Sequence, residues 1–333
     1  MPFAPPGVVL FVAVLAVCWA GPLIRLASAP ALAISAWRLI FSEAFILLLL
    51  VVRGELRFLR LRRGEWGLAL ASGLLLAAHF WSWIASLELT SVASSVVLVN
   101  TQPIIVGVLS VVVLAERPTR VQWAGILVAV AGAMIIGWGD FSRGRSPILG
   151  DLLAVAGAFF VSGYYVIGRR LRQRLPLWSY TGVVYGIAAL ALSLAVLLSP
   201  RVPVVHYPTR DWLIFLALAA GPMMLGHTGV NYALRFIPAY VANVALLGEP
   251  VGATLIAWLL PAIRERPPVQ TLVGGALILL GIALGMRYRR RSGAGGAAPL
   301  AGVPPGSDPP TVPLSPADTG TAQAAMALPE RTA

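Results

Sequence analysis

Ten apolar stretches alternate with short polar connections along this chain. They run approximately over residues 7–26, 31–52, 66–86, 92–114, 121–138, 150–168, 178–198, 212–234, 240–261 and 269–286. Each is near the ~20 residues that a helix needs to cross the hydrocarbon of a bilayer. The connections carry Arg, Pro, Gly and Asp. This pattern predicts an all-α integral membrane protein of ten transmembrane helices. After Arg287 the pattern stops, and residues 288–333 read as a basic run followed by a Gly/Ala/Pro-rich cytoplasmic tail. A tail so poor in aromatic and β-branched residues is expected to be disordered, because it has little apolar surface to bury.

The fourth and ninth stretches share a grammar. Residues 91–118 contain Asn-Thr-Gln-Pro and close on Glu116-Arg117-Pro118; residues 238–267 contain Leu-Gly-Glu-Pro and close on Glu265-Arg266-Pro267. Laying Pro103 on Pro250 sets Gln102 opposite Glu249, and an insertion of two residues then aligns the two closes. The chain therefore reads as a duplication, with residues 1–144 as one five-helix repeat and 145–287 as the other. Five is odd, so the second repeat must enter the membrane inverted relative to the first.

Composition agrees with the helical pattern: 58% of residues are hydrophobic and 11% charged, against roughly a quarter charged in soluble domains. The net charge of +12 is carried by arginine, no lysine occurring. In a soluble protein that excess would suggest nucleic acid; here arginines in the connections report topology instead. With the N-terminus inside, Arg53, Arg57, Arg60, Arg62, Arg63, Arg117, Arg120, Arg169, Arg170, Arg172, Arg174, Arg235, Arg287, Arg289, Arg290 and Arg291 all fall on the cytoplasmic side. Only Arg25, Arg143, Arg145, Arg201, Arg210, Arg264 and Arg266 fall on the other. Both termini are thus expected in the cytoplasm. The first apolar run is expected to remain as a span, since no charged region precedes it as in a cleavable signal. Inverted repeats meeting at a midplane site are the build of many secondary transporters.

With its two Pro-broken spans and their Glu-Arg-Pro closes, the chain resembles the drug/metabolite transporter superfamily, EamA type. The matching stretches are Leu87–Arg117 and Leu234–Arg266, with Arg38 in Ala-Trp-Arg-Leu of the second span, and the likeness extends over about residues 7–287. It implies a bacterial inner-membrane carrier of amino acids, metabolites or small cations. The seventh span lacks an arginine matching Arg38, so any anchor there is one-sided.

Candidate chemistry lies in polar residues placed in the apolar runs. Glu249 is the first, since a carboxylate at that depth costs about 3 kcal/mol on insertion scales. It reads as a proton or cation site, or as a neutral acid bonded to backbone freed by Pro250. Arg38 offers a fork for a substrate carboxylate, with pairing to another span as the structural alternative. His79 and His227 fall at nearly matching places in the third and eighth spans, as a proton relay or as helix cross-links. Gln102, Asn100 and Asn243 line a cavity or tie helices together, and Pro103 and Pro250 break theirs. Trp19, Trp81, Trp83, Tyr164 and Tyr165 are candidate aromatic walls, interfacial anchoring being their alternative. Gly281 and Gly285 form a GxxxG pair suited to close helix contact.

No phosphate-binding loop, His-Glu-x-x-His, paired-Cys spacing or Gly-x-Ser-x-Gly elbow occurs, and Cys18 is the single cysteine. No enzyme, cofactor or metal site is therefore expected. The leading reading is a proton-coupled or passive carrier that exports a small organic metabolite, an amino acid or related compound, by alternating access. An exporter of hydrophobic cations and a non-transporting membrane sensor or scaffold are the alternatives. The expected partners are the small-molecule substrate and the bilayer, with no nucleic acid and an open oligomeric state, monomer included.

Overall fold

A computed structural model describes residues 4–54, 61–90, 92–137, 145–259 and 269–287. The tail beyond residue 288, the Glu265-Arg266-Pro267 close and most of the 53–63 basic connection lie outside the described residues. Proline starts many of the helices. Pro6 and Pro147 occupy first-turn positions, and Pro5, Pro30, Pro176, Pro208 and Pro238 are N-cap residues. A proline there wastes no hydrogen bond, and its fixed φ already suits the first turn.

The helices are α1 (Pro6–Val17), α2 (Ala20–Leu26), α3 (Ala31–Val52), α4 (Arg63–Leu89), α5 (Val92–Val99), α6 (Gln102–Leu114) and α7 (Arg120–Gly137). Then follow α8 (Pro147–Arg172), α9 (Leu177–Leu198) and α10 (Thr209–Leu218), a π-helical stretch Ala219–His227, α11 (Thr228–Ala233), α12 (Ala239–Leu246), α13 (Gly248–Leu259) and α14 (Val269–Gly285). Among the described residues, seven segments are long and apolar enough to cross a membrane: Pro6–Leu26, Ala31–Val52, Arg63–Leu89, Ser94–Leu114, Pro147–Arg172, Leu177–Leu198 and Thr209–Ala233. Arg120–Ile136 and Val269–Gly285 are shorter apolar helices.

Four interruptions share one cause. Proline has no N–H to give the carbonyl four residues back, and its ring crowds that carbonyl. Four residues before Pro103 is Val99, where α5 ends; four before Pro250 is Leu246, where α12 ends. Four before Pro222 is Leu218, where α10 gives way to the wide π turns. Four before Pro22 is Cys18, the C-cap at which α1 breaks from α2. Each break therefore lies a turn upstream of its proline. The first-span break and the π stretch were not anticipated from the apolar pattern. Side chains take some of the carbonyls around them. Cys18 Sγ donates to Val14 O (3.0 Å), Asn100 Nδ2 to Val96 O (2.8 Å) and Thr101 Oγ1 to Leu98 O (2.7 Å).

Packing sets which helices meet. α7 lies against α14, α4 against α8, α3 against α9, and α1 against the π stretch and α11; α6 and α5 flank α8, while α12 and α13 flank α1. The α7–α14 seam is backbone on backbone. A Cβ added to Gly132 would come 2.5 Å from Gly274 O, and one on Gly281 would come 2.5 Å from Gly125 O. Such approach is how membrane helices gain contact without a hydrophobic driving force. Gly285 belongs to the same seam and also meets Val244 of α12. Outward faces carry Leu48, Val52, Val112, Leu190, Leu197 and Leu198, all exposed, as a lipid-facing shell requires.

Arg172 departs from the expected basic connection. It is buried in the last turn of α8, where Nε donates to Asn231 O (2.9 Å) and Nη1 to Leu175 O. Asp211 at the start of α10 accepts from Ser28 N (3.1 Å) and Ser28 Oγ (2.8 Å), tying the α2–α3 connection down.

Candidate functional site

The interrupted helices converge on one cavity. Val17 and Ala20 flank the α1–α2 break, Asn100 and Gln102 the α5–α6 break, and Leu246 and Glu249 the α12–α13 break; Pro222 and His227 come from the π stretch. Continuous helices complete the wall with Arg38 of α3, His79 and Trp83 of α4, and Val161 and Tyr165 of α8. Irregular backbone at membrane depth is tolerated where it lines such a cavity. The space is about 40 Å³, enough for a few waters.

Arg38 is wholly buried, with its Cζ 4.0 Å from the centroid of the Phe80 ring. That face holds the guanidinium by a cation–π contact. Its Nε and Nη1 have no hydrogen-bond partner. Glu249 stands in the first turn of α13, where the helix dipole favours negative charge. A cation and an acid thus line one buried cavity, where each acts on the other more strongly than in bulk water.

His79 and His227 meet here, their ring centroids 6.4 Å apart. His79 Nδ1 lies 2.9 Å from Gly157 O; a carbonyl only accepts, so Nδ1 carries the proton. The ring stacks on Trp83 (6.1 Å, 3°). His227 Nδ1 is 3.2 Å from the Tyr165 hydroxyl, and the two rings are nearly parallel at 9°.

Of the residues singled out from sequence, Glu249, Arg38, His79, His227, Gln102, Asn100, Trp83 and Tyr165 line this cavity. The other four stand elsewhere. Asn243 is buried in α12 with Nδ2 donating to Ala239 O (2.9 Å). Tyr164 is buried and its hydroxyl accepts from Asn231 Nδ2 (2.5 Å). Trp19 and Trp81 are 42% and 43% exposed and face outward. Pro103 and Pro250 act through the breaks they set. Phe80 and Pro222 were not foreseen; Pro222 had a signal, a proline inside an apolar run, whereas Phe80 had none.

Comparison with known proteins agrees with this build. The family model described as the EamA-like transporter family matches residues 6–138 and again residues 148–287. The uncharacterized transporter YwfM of Bacillus subtilis (strain 168) is 27% identical over 82% of this chain and 91% of its own length. The probable terminal-alkyne amino-acid exporter of Streptantibioticus cattleyicolor is 28% identical over 56% of this chain and 61% of its own. A solved crystal structure superposes with a TM-score of 0.72 at 22% identity, over 84% of this chain and 96% of the other, a likeness of fold. With the helix-lined cavity and two matched stretches that take up most of its length, this chain belongs to the EamA-like transporter family, as a multi-pass membrane transporter.

Proposed function

We propose that this protein is a secondary transporter of the bacterial inner membrane that exports a small organic metabolite, an amino acid or related compound, by alternating access. The observation that carries the reading is the cavity itself, walled by broken helices and bearing Arg38 and Glu249 together. Opposite charges in one pocket suit a solute with both a carboxylate and an ammonium group. The relative that is named an amino-acid exporter supports the same substrate class and direction. A purely cationic solute is the weaker reading, because Arg38 would share its site.

Ten spans in two inverted five-helix halves, residues 1–144 and 145–287, with both termini cytoplasmic, form the scaffold of this reading. The packing supports it. Counting α1–α2, α5–α6, α10–π–α11 and α12–α13 as single spans, exchange of the halves turns the α4–α8 contact into that of the α10–α11 span with α1. The same exchange turns α6–α8 into α13–α1, and returns α3–α9 and α7–α14 to themselves. A two-fold axis in the membrane plane produces that pattern. The cavity is far below the ~300 Å³ at which sites for drug-sized ligands begin, so a larger solute requires the halves to part.

The test is counterflow in proteoliposomes preloaded with a mixture of the twenty common amino acids. The expected result is protein-dependent exchange of at least one of them for external labelled solute. Exchange no faster than in empty liposomes, across amino acids and a parallel panel of organic cations, would end the reading.

A further inference from the structure

We infer that the indole N–H of Trp83 and the guanidinium fork of Arg38 together form the carboxylate subsite of the cavity, with Asn100 and Glu249 facing the ammonium of the same solute. The inference rests on the transport reading above and deepens it. Buried polar groups in proteins are nearly always hydrogen-bonded, so each exception calls for an explanation. Among the described residues, the buried side-chain nitrogens without a partner are Arg38 Nε, Arg38 Nη1 and Trp83 Nε1. All three belong to residues that line this one cavity. The other orphaned atoms are oxygens, and one of them, Asn100 Oδ1, belongs to the same wall.

The donors are held in advance. Phe80 supports the guanidinium from one face, leaving the edges of the fork uncommitted. Trp83 is 6% exposed and lies flat on His79, whose ring is fixed by Gly157 O. A Cβ on Gly157 would approach Trp83 Cβ to 3.4 Å, so α8 packs closely against the root of that side chain. Three N–H donors from two helices complement the two oxygens of a carboxylate, which accepts up to about four hydrogen bonds. Asn100 spends Nδ2 on Val96 O, which leaves its carbonyl oxygen for a donor. With Glu249 on the wall of the same cavity, that oxygen suits an ammonium. The ligand class is therefore a zwitterion whose carboxylate and ammonium lie close together. An organic cation without acceptors would leave all three donors unmatched.

The experiment compares the purified full-length protein with Trp83→Phe, which keeps a ring and loses the N–H. The probes are the amino acid exchanged fastest in the counterflow panel and its methyl ester, read as the ratio of their KM values. Wild type should favour the acid, and the Trp83→Phe variant should lose about tenfold of that preference, the usual worth of one hydrogen bond to a charged group. An unchanged ratio in Trp83→Phe would overturn the subsite, because Trp83 would then serve packing alone. If esters and amines are exchanged while no free amino acid is, the subsite is wrong and the transport reading survives. If no solute is exchanged, both fall. Should Trp83→Phe not assemble, Trp83→His supplies the second variant: a ring that keeps an N–H should retain more of the acid preference than Arg38→Lys does, and equal loss in both contradicts the assignment.

Discussion

Glu249 is where the two repeats diverge, since its aligned partner is Gln102 and both line the cavity. A midspan acid is expensive to keep charged and cheap to keep protonated, so it exchanges protons usefully only if it alternates between burial and water. Glu249→Gln preserves the size and hydrogen bonding of the neutral acid and reproduces the Gln-Pro pair of the first repeat. The expected outcome is normal insertion, retained counterflow, and loss of accumulation driven by an imposed pH gradient. Uptake with and without that gradient checks it, and a mutant that responds as wild type does removes Glu249 from coupling. Charged and amide residues in apolar runs were legible in the sequence because their cost marks them. Aromatic roles were not: Trp81 and Trp83 are two residues apart on one helix, yet one faces outward and the other the cavity. Only the packing of α4 against α8 decides which.

At the scale of elements, proline was readable but its effect was displaced. Sequence marks the residue that lacks an N–H, and the chain breaks at the carbonyl left without that donor, a turn earlier. Helix ends also carry a tie that patterning did not reveal. α6 stops at Ala115, whose φ of 55° is left-handed and uncommon for a residue with a Cβ. The turn aims Glu116 at Arg169 on α8, with Nε to Oε1 at 2.7 Å, while Oε2 accepts from Ala239 N (3.3 Å) at the start of α12. Arg169 Nη1 also donates to Leu234 O (2.6 Å). One carboxylate thus joins three helices that come from both repeats. Glu116→Gln should lower stability by about 1.5 kcal/mol, the low end of the range for a hydrogen bond to a charged group, since the amide oxygen can still accept. Thermal unfolding in detergent reads this, and an unchanged melting temperature would mean that the tie is incidental. Ala115→Gly separates strain from contact: relief of the left-handed residue should raise the melting temperature slightly.

Over the whole molecule, length and hydropathy of the segments made the membrane class plain, and the repeated Pro and Glu-Arg-Pro grammar pointed to a duplication. Which helices touch was beyond the sequence, because all of them are apolar on most faces and the contacts are chosen by small residues such as Gly125 and Gly132. Under the proposed alternating access one cavity opens to each side of the membrane in turn, and Ala20 reports on it, lying on the wall beside the α1–α2 break. In a Cys18→Ser background, Ala20→Cys places a thiol on that wall with little change in volume. Its reaction with a membrane-impermeant methanethiosulfonate is then followed in right-side-out and in inside-out vesicles. Alternating access predicts modification from both sides, slowed by the exchanged solute in each case. Modification from one side only, or at a rate that the solute leaves unchanged, would contradict it.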